Sequence, residues 1–301
     1  MTMYSLAKVL RFIASHPLNA DRVLISLIKF FWWQISGRLI GGRRQIPWVD
    51  DAKLEIKIGE AGLTGNIYCG LMEYQEMLFV LHALRPEDVF LDVGANAGAY
   101  TVLASGVVGA TSIAFEPIAG TVERLTSQIQ LNHIESVASV LNVGVGSARG
   151  TLLFTNKHDT VNRVARTGQL ESTVSVEVLA LDECTLPPGD VVIKIDVEGY
   201  ECEVLKGASR VLSSGRVKAL VVELNESGET FGYSNEDAHQ ILVGHGLVPI
   251  AYDPIARQME VLATYNRRAG NTIYVRDVSE ARALVTAAPY RTVHTAFGRR
   301  L

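Results

Sequence analysis

The sequence predicts an α/β protein, a mostly parallel seven-stranded sheet with helices on both faces, carrying an amphipathic helical extension at its N-terminus. Three observations support this. Short apolar runs of strand length alternate with helix-patterned stretches from residue 89 onward. The first run exits into a turn bounded by glycines, Gly94-Ala95-Asn96-Ala97-Gly98, and the second ends on an acid, Glu116. The 301 residues are 48% hydrophobic and 20% charged, with 26 Gly and 9 Pro, which excludes a disordered, collagen-like or coiled-coil chain. Cys69, Cys184 and Cys202 are odd in number, widely spaced and lack any C-x-x-C pairing. Neither a disulfide framework nor a zinc site is expected, and a reducing, cytoplasmic compartment fits.

The net charge of −4 is unevenly spread. Residues 1–48 hold seven Lys or Arg (Lys8, Arg11, Arg22, Lys29, Arg38, Arg43, Arg44) against Asp21, hence +6, leaving −10 for the remainder. Trp32, Trp33 and Trp48 fall in the same basic part. Two helices are expected, about 3–15 and 20–40, split by His16-Pro17 because a residue before proline is pushed out of the helical region. Lys8 and Arg11 interrupt the early apolar run, so it is not a signal peptide. Lys29, Gln34 and Arg38 leave 23–40 short of a charge-poor bilayer span. Basic residues mixed with Phe30, Phe31, Trp32 and Trp33 suit an interfacial helix on the inner membrane face. The alternatives are packing on the main domain or on a second subunit. Residues 1–48 are thus read as an extension and 49–301 as the main domain.

Val89-Phe90-Leu91-Asp92-Val93 is a buried strand entered through Arg85-Pro86-Glu87-Asp88. A helix over about 98–107 follows its glycine turn. A strand over 111–115 ends in Glu116-Pro117. The next helix carries Val122, Leu125 and Ile129 on one face, and a strand is expected over 138–143. Strands over 151–155 and 172–178 flank a polar stretch, 156–171, as a hairpin-like insertion. The strand 191–195 runs into Asp196-Val197-Glu198-Gly199, and the following helix turns Val204, Ala208, Val211 and Leu212 to the core. A strand over 217–224 follows. Ser234 with Asp237 three residues on forms a capping box that opens a helix ending near Gly246. Strands over 247–252 and 272–275 complete the sheet.

In such sheets ligands bind beyond the carboxyl ends of the strands. A glycine turn there admits an anionic group to backbone amides and the helix N-terminus, and an acid ending the second strand accepts both ribose hydroxyls. Glu116 holds that place. The turn is G-x-N-x-G and lacks the third glycine of a pyrophosphate site, which disfavours NAD or FAD. Asp92 is placed for a ligand ammonium and the turn amides for a carboxylate. An ammonium, a carboxylate and an adenosine together describe S-adenosylmethionine.

Leu91-Asp92-Val93-Gly94-Ala95-Asn96-Ala97-Gly98-Ala99-Tyr100-Thr101, Phe115-Glu116-Pro117 and Ile193-Lys194-Ile195-Asp196-Val197-Glu198-Gly199-Tyr200-Glu201 resemble the three signature blocks of the FkbM family of methyltransferases. Ile67-Tyr68-Cys69-Gly70-Leu71-Met72-Glu73 and the pair Leu181-Asp182 also resemble that family, and the similarity covers about residues 60 to 225. The resemblance implies a class I, Rossmann-like S-adenosylmethionine-dependent fold. It also implies methyl transfer, usually to a hydroxyl of a sugar, glycan, glycolipid or polyketide. By position, Asp92, Gly94, Ala95, Asn96 and Gly98 would line the methionine end, Glu116 and Pro117 the ribose, and Asn142 the adenine. The basic extension lies outside the shared region.

Methyl transfer from a sulfonium is an in-line displacement in which alignment supplies much of the rate. A sugar hydroxyl also needs a general base. Lys194 and Asp196 share one face of their strand, with Asp196 at its carboxyl end and Glu198 just beyond. Asp196 is the first candidate base and Glu198 the second, with Lys194 holding Asp196 ionised or orienting the acceptor. The structural alternative is a Lys–Asp pair with Glu198 opening the next helix. His158, in the polar stretch 157–163, is a further candidate. Asp196, Glu198 and Glu223 could converge on Mg²⁺, though spacing does not require a metal. Tyr68 and Glu73 are candidates to close over the cofactor. The competing class is a non-catalytic binding or scaffold protein that keeps the fold, which a broken turn or missing acid would signal, and neither is present. Nucleic acid is disfavoured as partner by the −10 main domain and the lack of an Asn-Pro-Pro-Tyr signature.

Overall fold

A computed structural model of the chain describes residues 3–155, 163–165 and 172–301. Two helices, α1 (Met3–Ser15) and α2 (Val23–Ile40), precede a hairpin of β1 (Arg43–Pro47) and β2 (Lys53–Lys57). Helices α3 (Ala61–Cys69) and α4 (Tyr74–Ala83) lead into β3 (Val89–Val93). Then come α5 (Ala99–Val108), π-helical over Val102–Val108, β4 (Thr111–Phe115), α6 (Ala119–Leu131) and β5 (Ala138–Leu141). The insertion comprises β6 (Gly144–Val145), β7 (Gly150–Thr155) and β8 (Thr173–Leu179). The second half runs β9 (Val191–Ile195), α7 (Glu201–Lys206), α8 (Ser209–Ser213), β10 (Val217–Glu223), α9 (Asn235–Gly244), β11 (Val248–Asp253), β12 (Gln258–Val261), β13 (Asn271–Val275) and α10 (Val278–Ala287). A short pair, β14 (Thr292–Val293) and β15 (Arg299–Arg300), ends the chain.

The central sheet has the order β12-β11-β13-β10-β9-β3-β4-β5. The strands from β10 to β5 are parallel, whereas β13 runs antiparallel to β10 and to β11. This is the Rossmann-like sheet that the alternating pattern predicts, with one strand added. The addition, β12, pairs antiparallel with β11 through a turn in which Asp253 Oδ1 accepts from the amides of Ile255 and Ala256. As an edge strand it buries only Met259, so no apolar run announces it.

Alternation along the inner strands divides the core between the two faces. Phe90, Val192, Val221 and Ile273 point to one side, with α4, α5 and α10. Leu91, Ile193, Val222 and Tyr274 point to the other, with α7, α8 and α9. Strands buried on both faces read as continuous apolar runs, which is why their limits follow so closely from sequence. The helix expected after Gly199 is broken at Gly207, where a Cβ would lie 2.0 Å from the Gly146 carbonyl oxygen. Asp182 caps the second piece, accepting from the amides of Arg210 and Val211. The Ser234–Asp237 capping box forms as expected. The two insertion strands also form, as an antiparallel pair to which β6 adds a third strand.

The extension breaks at His16-Pro17, where the His16 ring accepts from the Leu18 amide. Ile13, Leu18, Phe30 and Trp33 join the same core as α3 and α4. Lys29 Nζ donates to the Thr295 carbonyl (2.6 Å), and Arg299 pairs with Asp21 (2.6 Å). The packing alternative for residues 1–48 is therefore realised by one face of α2. One expectation is corrected: by length and composition α2 is long and apolar enough to cross a membrane. Two cations among 18 residues do not outweigh its apolar content, and long basic side chains can snorkel.

Candidate active site

Parallel pairing sets Asp92 of β3 opposite Lys194 of β9, and Lys194 opposite Val221 of β10. Glu223 lies two residues beyond Val221 on the same face and pairs in register with Asn271 of β13. Side chains two apart on a strand share a face, so Asp92, Lys194, Glu223 and Asn271 form a polar row across four strands. It sits at the carboxyl ends of the parallel strands, on the α4/α5 side. Asp92, Lys194 and Glu223 open into a cleft of about 690 Å³ whose wall also includes Asn96, Glu116, Asp196 and Glu198.

The turn after β3 can follow its path only with glycine at 94. There φ is +80°, and a Cβ would stand 1.9 Å from the Asp196 carbonyl oxygen. Gly98, at φ +86°, serves packing: a Cβ would meet Leu125 Cδ1 at 2.3 Å. Asn96 adopts φ +49°. Glu116 accepts from the Asn96 amide through Oε2 (3.0 Å) and from the Ile118 amide through Oε1 (2.9 Å). Both oxygens are thus oriented, and each keeps a lone pair for a hydroxyl donor.

The turn amides are engaged within the protein. Gly94 and Ala95 donate to the Phe115 carbonyl, Asn96 to Glu116, Ala97 to its neighbour's Oδ1 and Gly98 to the Ala95 carbonyl. The Nδ2 of Asn96, whose side chain lines the cleft, is the turn's uncommitted donor among the described residues. Asn142 holds the loop after β4 by donating to the carbonyls of Glu116 and Pro117.

Lys194 is 1% exposed. Its Nζ lies 2.9 Å from Asp196 Oδ2 and 3.4 Å from Asn271 Oδ1, above the Tyr100 ring. Burial pulls the lysine pKa down, but Asp196, Glu73 and Glu223 more than offset this and hold the ammonium charged. Tyr100 donates to Glu73 Oε2 (2.6 Å), and Asn271 donates to its Oε1 (3.3 Å). Burial, then the Asp196 charge, pushes Glu223 up to about 10, and its Oε2 is buried without a hydrogen-bond partner among the described residues. Glu198, at φ +55°, is raised to about 7 by burial and by Asp196 and Glu201. Asp92 accepts from Thr101 Oγ1 (2.6 Å), and burial raises it to about 6. Burial likewise raises Glu116 to about 7.

Asp196, Glu198 and Glu223 each offer an oxygen within 4.8 Å of the others. The Lys194 ammonium stands on one of these three carboxylates, that of Asp196. Glu73 reaches the cleft and Tyr68 does not: the tyrosine packs against Phe30 and accepts from Gln34 Nε2. His158 lies outside the described residues, although Phe154 of β7 reaches the cleft wall. Glu198 does not cap α7. Glu201 holds that loop instead, accepting from the amides of Val197 and Gly199. Sequence reasoning missed Tyr100 and Asn271. A polar first residue on β13 was the available signal for Asn271, but only knowing that β13 lies beside β10 gives it meaning.

Sheet order, glycine turn and strand-end acids define a Rossmann-like protein of the class I methyltransferase type. Residues 92–248 match the methyltransferase FkbM domain, and the chain belongs to that family of methyltransferases. It is 30% identical over 157 residues to the hexuronic acid methyltransferase AglP of Haloferax volcanii, a match covering 51% of this chain and 62% of the relative. The chain thus matches less than two thirds of that relative's length. Among solved structures it is similar to the precorrin-6Y C5,15-methyltransferase of Geobacter metallireducens, with 15% identity and a TM-score of 0.37 over 68% of this chain and 85% of the other. It is also similar to the C-terminal domain of the Rhodobacter capsulatus precorrin-6Y C5,15-methyltransferase, with 14% identity and a TM-score of 0.35 over 68% and 87%.

Proposed function

We propose that this chain transfers a methyl group from S-adenosylmethionine to a hydroxyl oxygen of a sugar-type acceptor, free or within a glycan or glycolipid. The carrying observation is that one cleft brings two sets of side chains together. Asp92, Asn96 and Glu116 suit the cofactor, and Lys194, Asp196 and Glu198 suit a hydroxyl acceptor. A volume of about 690 Å³ falls in the range of small-molecule sites. The residues fit the cofactor at its cationic and ribose ends. Glu116 presents oriented oxygens to two ribose hydroxyls, and Asp92 a carboxylate to the ammonium. Asn96 Nδ2 is the donor at hand for the carboxylate. S-adenosylmethionine, when bound, supplies the electrophilic methyl group.

The chain's own contribution is alignment and proton removal. Asp196 Oδ1 takes the acceptor hydroxyl proton while Lys194 fixes Oδ2. The acceptor oxygen would take the methyl group that bound S-adenosylmethionine would supply, leaving its sulfur as a thioether, and the hydroxyl proton would end on Asp196. Positioned bases of this kind contribute about a hundredfold or more. The relative's hexuronic acid acceptor supports a hydroxylated sugar, and Lys8 on the cleft wall would complement an anionic one. No metal is assigned a role.

Calorimetry with S-adenosylmethionine followed by label transfer onto uronic acid and neutral hexose acceptors tests the reading. Saturable binding and an alkali-stable methyl ether are expected. A folded chain that binds no cofactor would hand the case to a non-catalytic binding protein, and an alkali-labile methyl ester would overturn the hydroxyl assignment.

A further inference from the structure

We propose that the outer face of α2 is a docking surface for an anionic lipid membrane. Among the described residues, sixteen large apolar side chains are exposed, and eight of them stand on this one helix. Leu24, Ile28, Phe31, Trp32, Ile35 and Leu39 fall within an arc of about 100° at 100° per residue. Trp32 is 69% exposed and Leu39 81%. The opposite side of the same helix, with Ser26, Phe30, Trp33 and Gly37, is buried against the domain. Core packing therefore accounts for one face of α2 and leaves the other without a partner among the described residues. An apolar row this long on an exposed surface marks an interaction site.

Charge selects the occupant. Lys8, Arg11 and Arg38 are exposed and have no carboxylate partner among the described residues, within a segment of net charge +6. An apolar row with aromatic side chains and flanking cations matches the boundary between headgroups and acyl chains of anionic lipid. A second copy fits less well, because two-fold pairing would bring two segments of net charge +6 together. Crossing the bilayer fits less well too. Phe30 and Trp33 are held in the core and Lys29 on the Thr295 carbonyl, so the helix would have to be stripped from the domain.

The same extension borders the cleft. Lys8 of α1 stands on its wall, and His16 Nε2 donates to the carbonyl of Met72, another wall residue. A docked chain would therefore hold the cleft rim near headgroup level, where a lipid-borne sugar is presented. The purpose given to the surface, but not the surface itself, rests on the sugar-acceptor reading.

The test uses the full chain with vesicles of phosphatidylcholine alone or with about 30 mol% phosphatidylglycerol. Co-sedimentation with the anionic vesicles is expected, with a blue shift of tryptophan emission as Trp32 leaves water, weakening at about 0.5 M salt. The variant Ile28→Ser/Trp32→Ser/Ile35→Ser alters only exposed side chains. It should bind at least about tenfold more weakly with unchanged circular dichroism, melting temperature and S-adenosylmethionine affinity. Equal partitioning of the variant, or no anionic vesicle binding by the folded parent, overturns the proposal. A parent dimer that the variant dissociates assigns the face to a second copy, and resistance to alkaline extraction makes the helix a span; both overturn it. A folded parent that binds cofactor but no anionic vesicles sinks the docking surface alone. A folded parent that binds the vesicles but no cofactor sinks the enzyme reading alone.

Discussion

Replacing Asp92 by Asn should make the protein more stable at alkaline pH and worse at binding its cofactor. The side chain is 2% exposed, and burial raises its carboxyl from the usual 3.8 to about 6. Between those values the unfolded chain releases the proton first, so stability falls as pH rises from about 4 to 6 and stays lower above. At 1.36 kcal/mol per pH unit the charged carboxylate costs the fold about 3 kcal/mol above pH 6. Asn keeps an acceptor for Thr101 Oγ1 and removes that charge. Its new amide donor needs a partner and returns about 1 kcal/mol of the gain. A net gain near 2 kcal/mol corresponds to a melting temperature about 4 °C higher at pH 8, with little advantage at pH 4. In the other direction, losing a charged hydrogen bond to the ligand ammonium costs about 1.5–3 kcal/mol, or roughly ten- to hundredfold in affinity. Thermal melts at both pH values, with calorimetry at pH 8, read the two effects separately. Wild-type affinity in Asp92→Asn would refute the ammonium assignment, and a lower melting temperature at pH 8 would refute the buried-charge argument.

Other substitutions divide the roles further. Asp196→Asn should cut kcat about a hundredfold or more with cofactor affinity kept, and Glu198→Gln less than about tenfold; steady-state kinetics showing the reverse order would move the base to Glu198. Glu116→Gln removes a charge that accepts two backbone amides, so cofactor affinity should fall about tenfold by calorimetry; unchanged affinity places the ribose elsewhere. Gly94→Ala forces a Cβ to within 1.9 Å of the Asp196 carbonyl oxygen at positive φ, so chemical denaturation should show about 3 kcal/mol or more of lost stability. Dialysis against EDTA should leave turnover unchanged, because the Lys194 ammonium already holds the Asp196 carboxylate; activity restored only by Mg²⁺ would assign Asp196, Glu198 and Glu223 to a cation.

The sequence by itself determined the sheet and most of the cleft. Strands buried on both faces must be apolar throughout, so Val89–Val93, Thr111–Phe115 and Val191–Ile195 carry their own limits. Ligand chemistry beyond strand ends must place a tight turn and an acid at fixed points, so Gly94, Asp92 and Glu116 were legible too. Tertiary structure decided what depends on which strands and faces meet. Only the insertion of antiparallel β13 beside β10 brings Asn271 to Lys194, and only α5 docking over the sheet carries Tyr100 to Glu73. Hydrogen bonding within the turn spends the amides of residues 94–98, which periodicity cannot reveal. An edge strand such as β12 has one solvent side and too few apolar residues to declare itself. Residues 1–48 show the same division: composition gives an apolar helix with basic flanks, but a helix apolar on most sides does not say which side faces the protein. Packing made that choice, burying Phe30 and Trp33 and leaving Trp32 and Leu39 outside, because burial belongs to a pair of complementary surfaces rather than to either one alone.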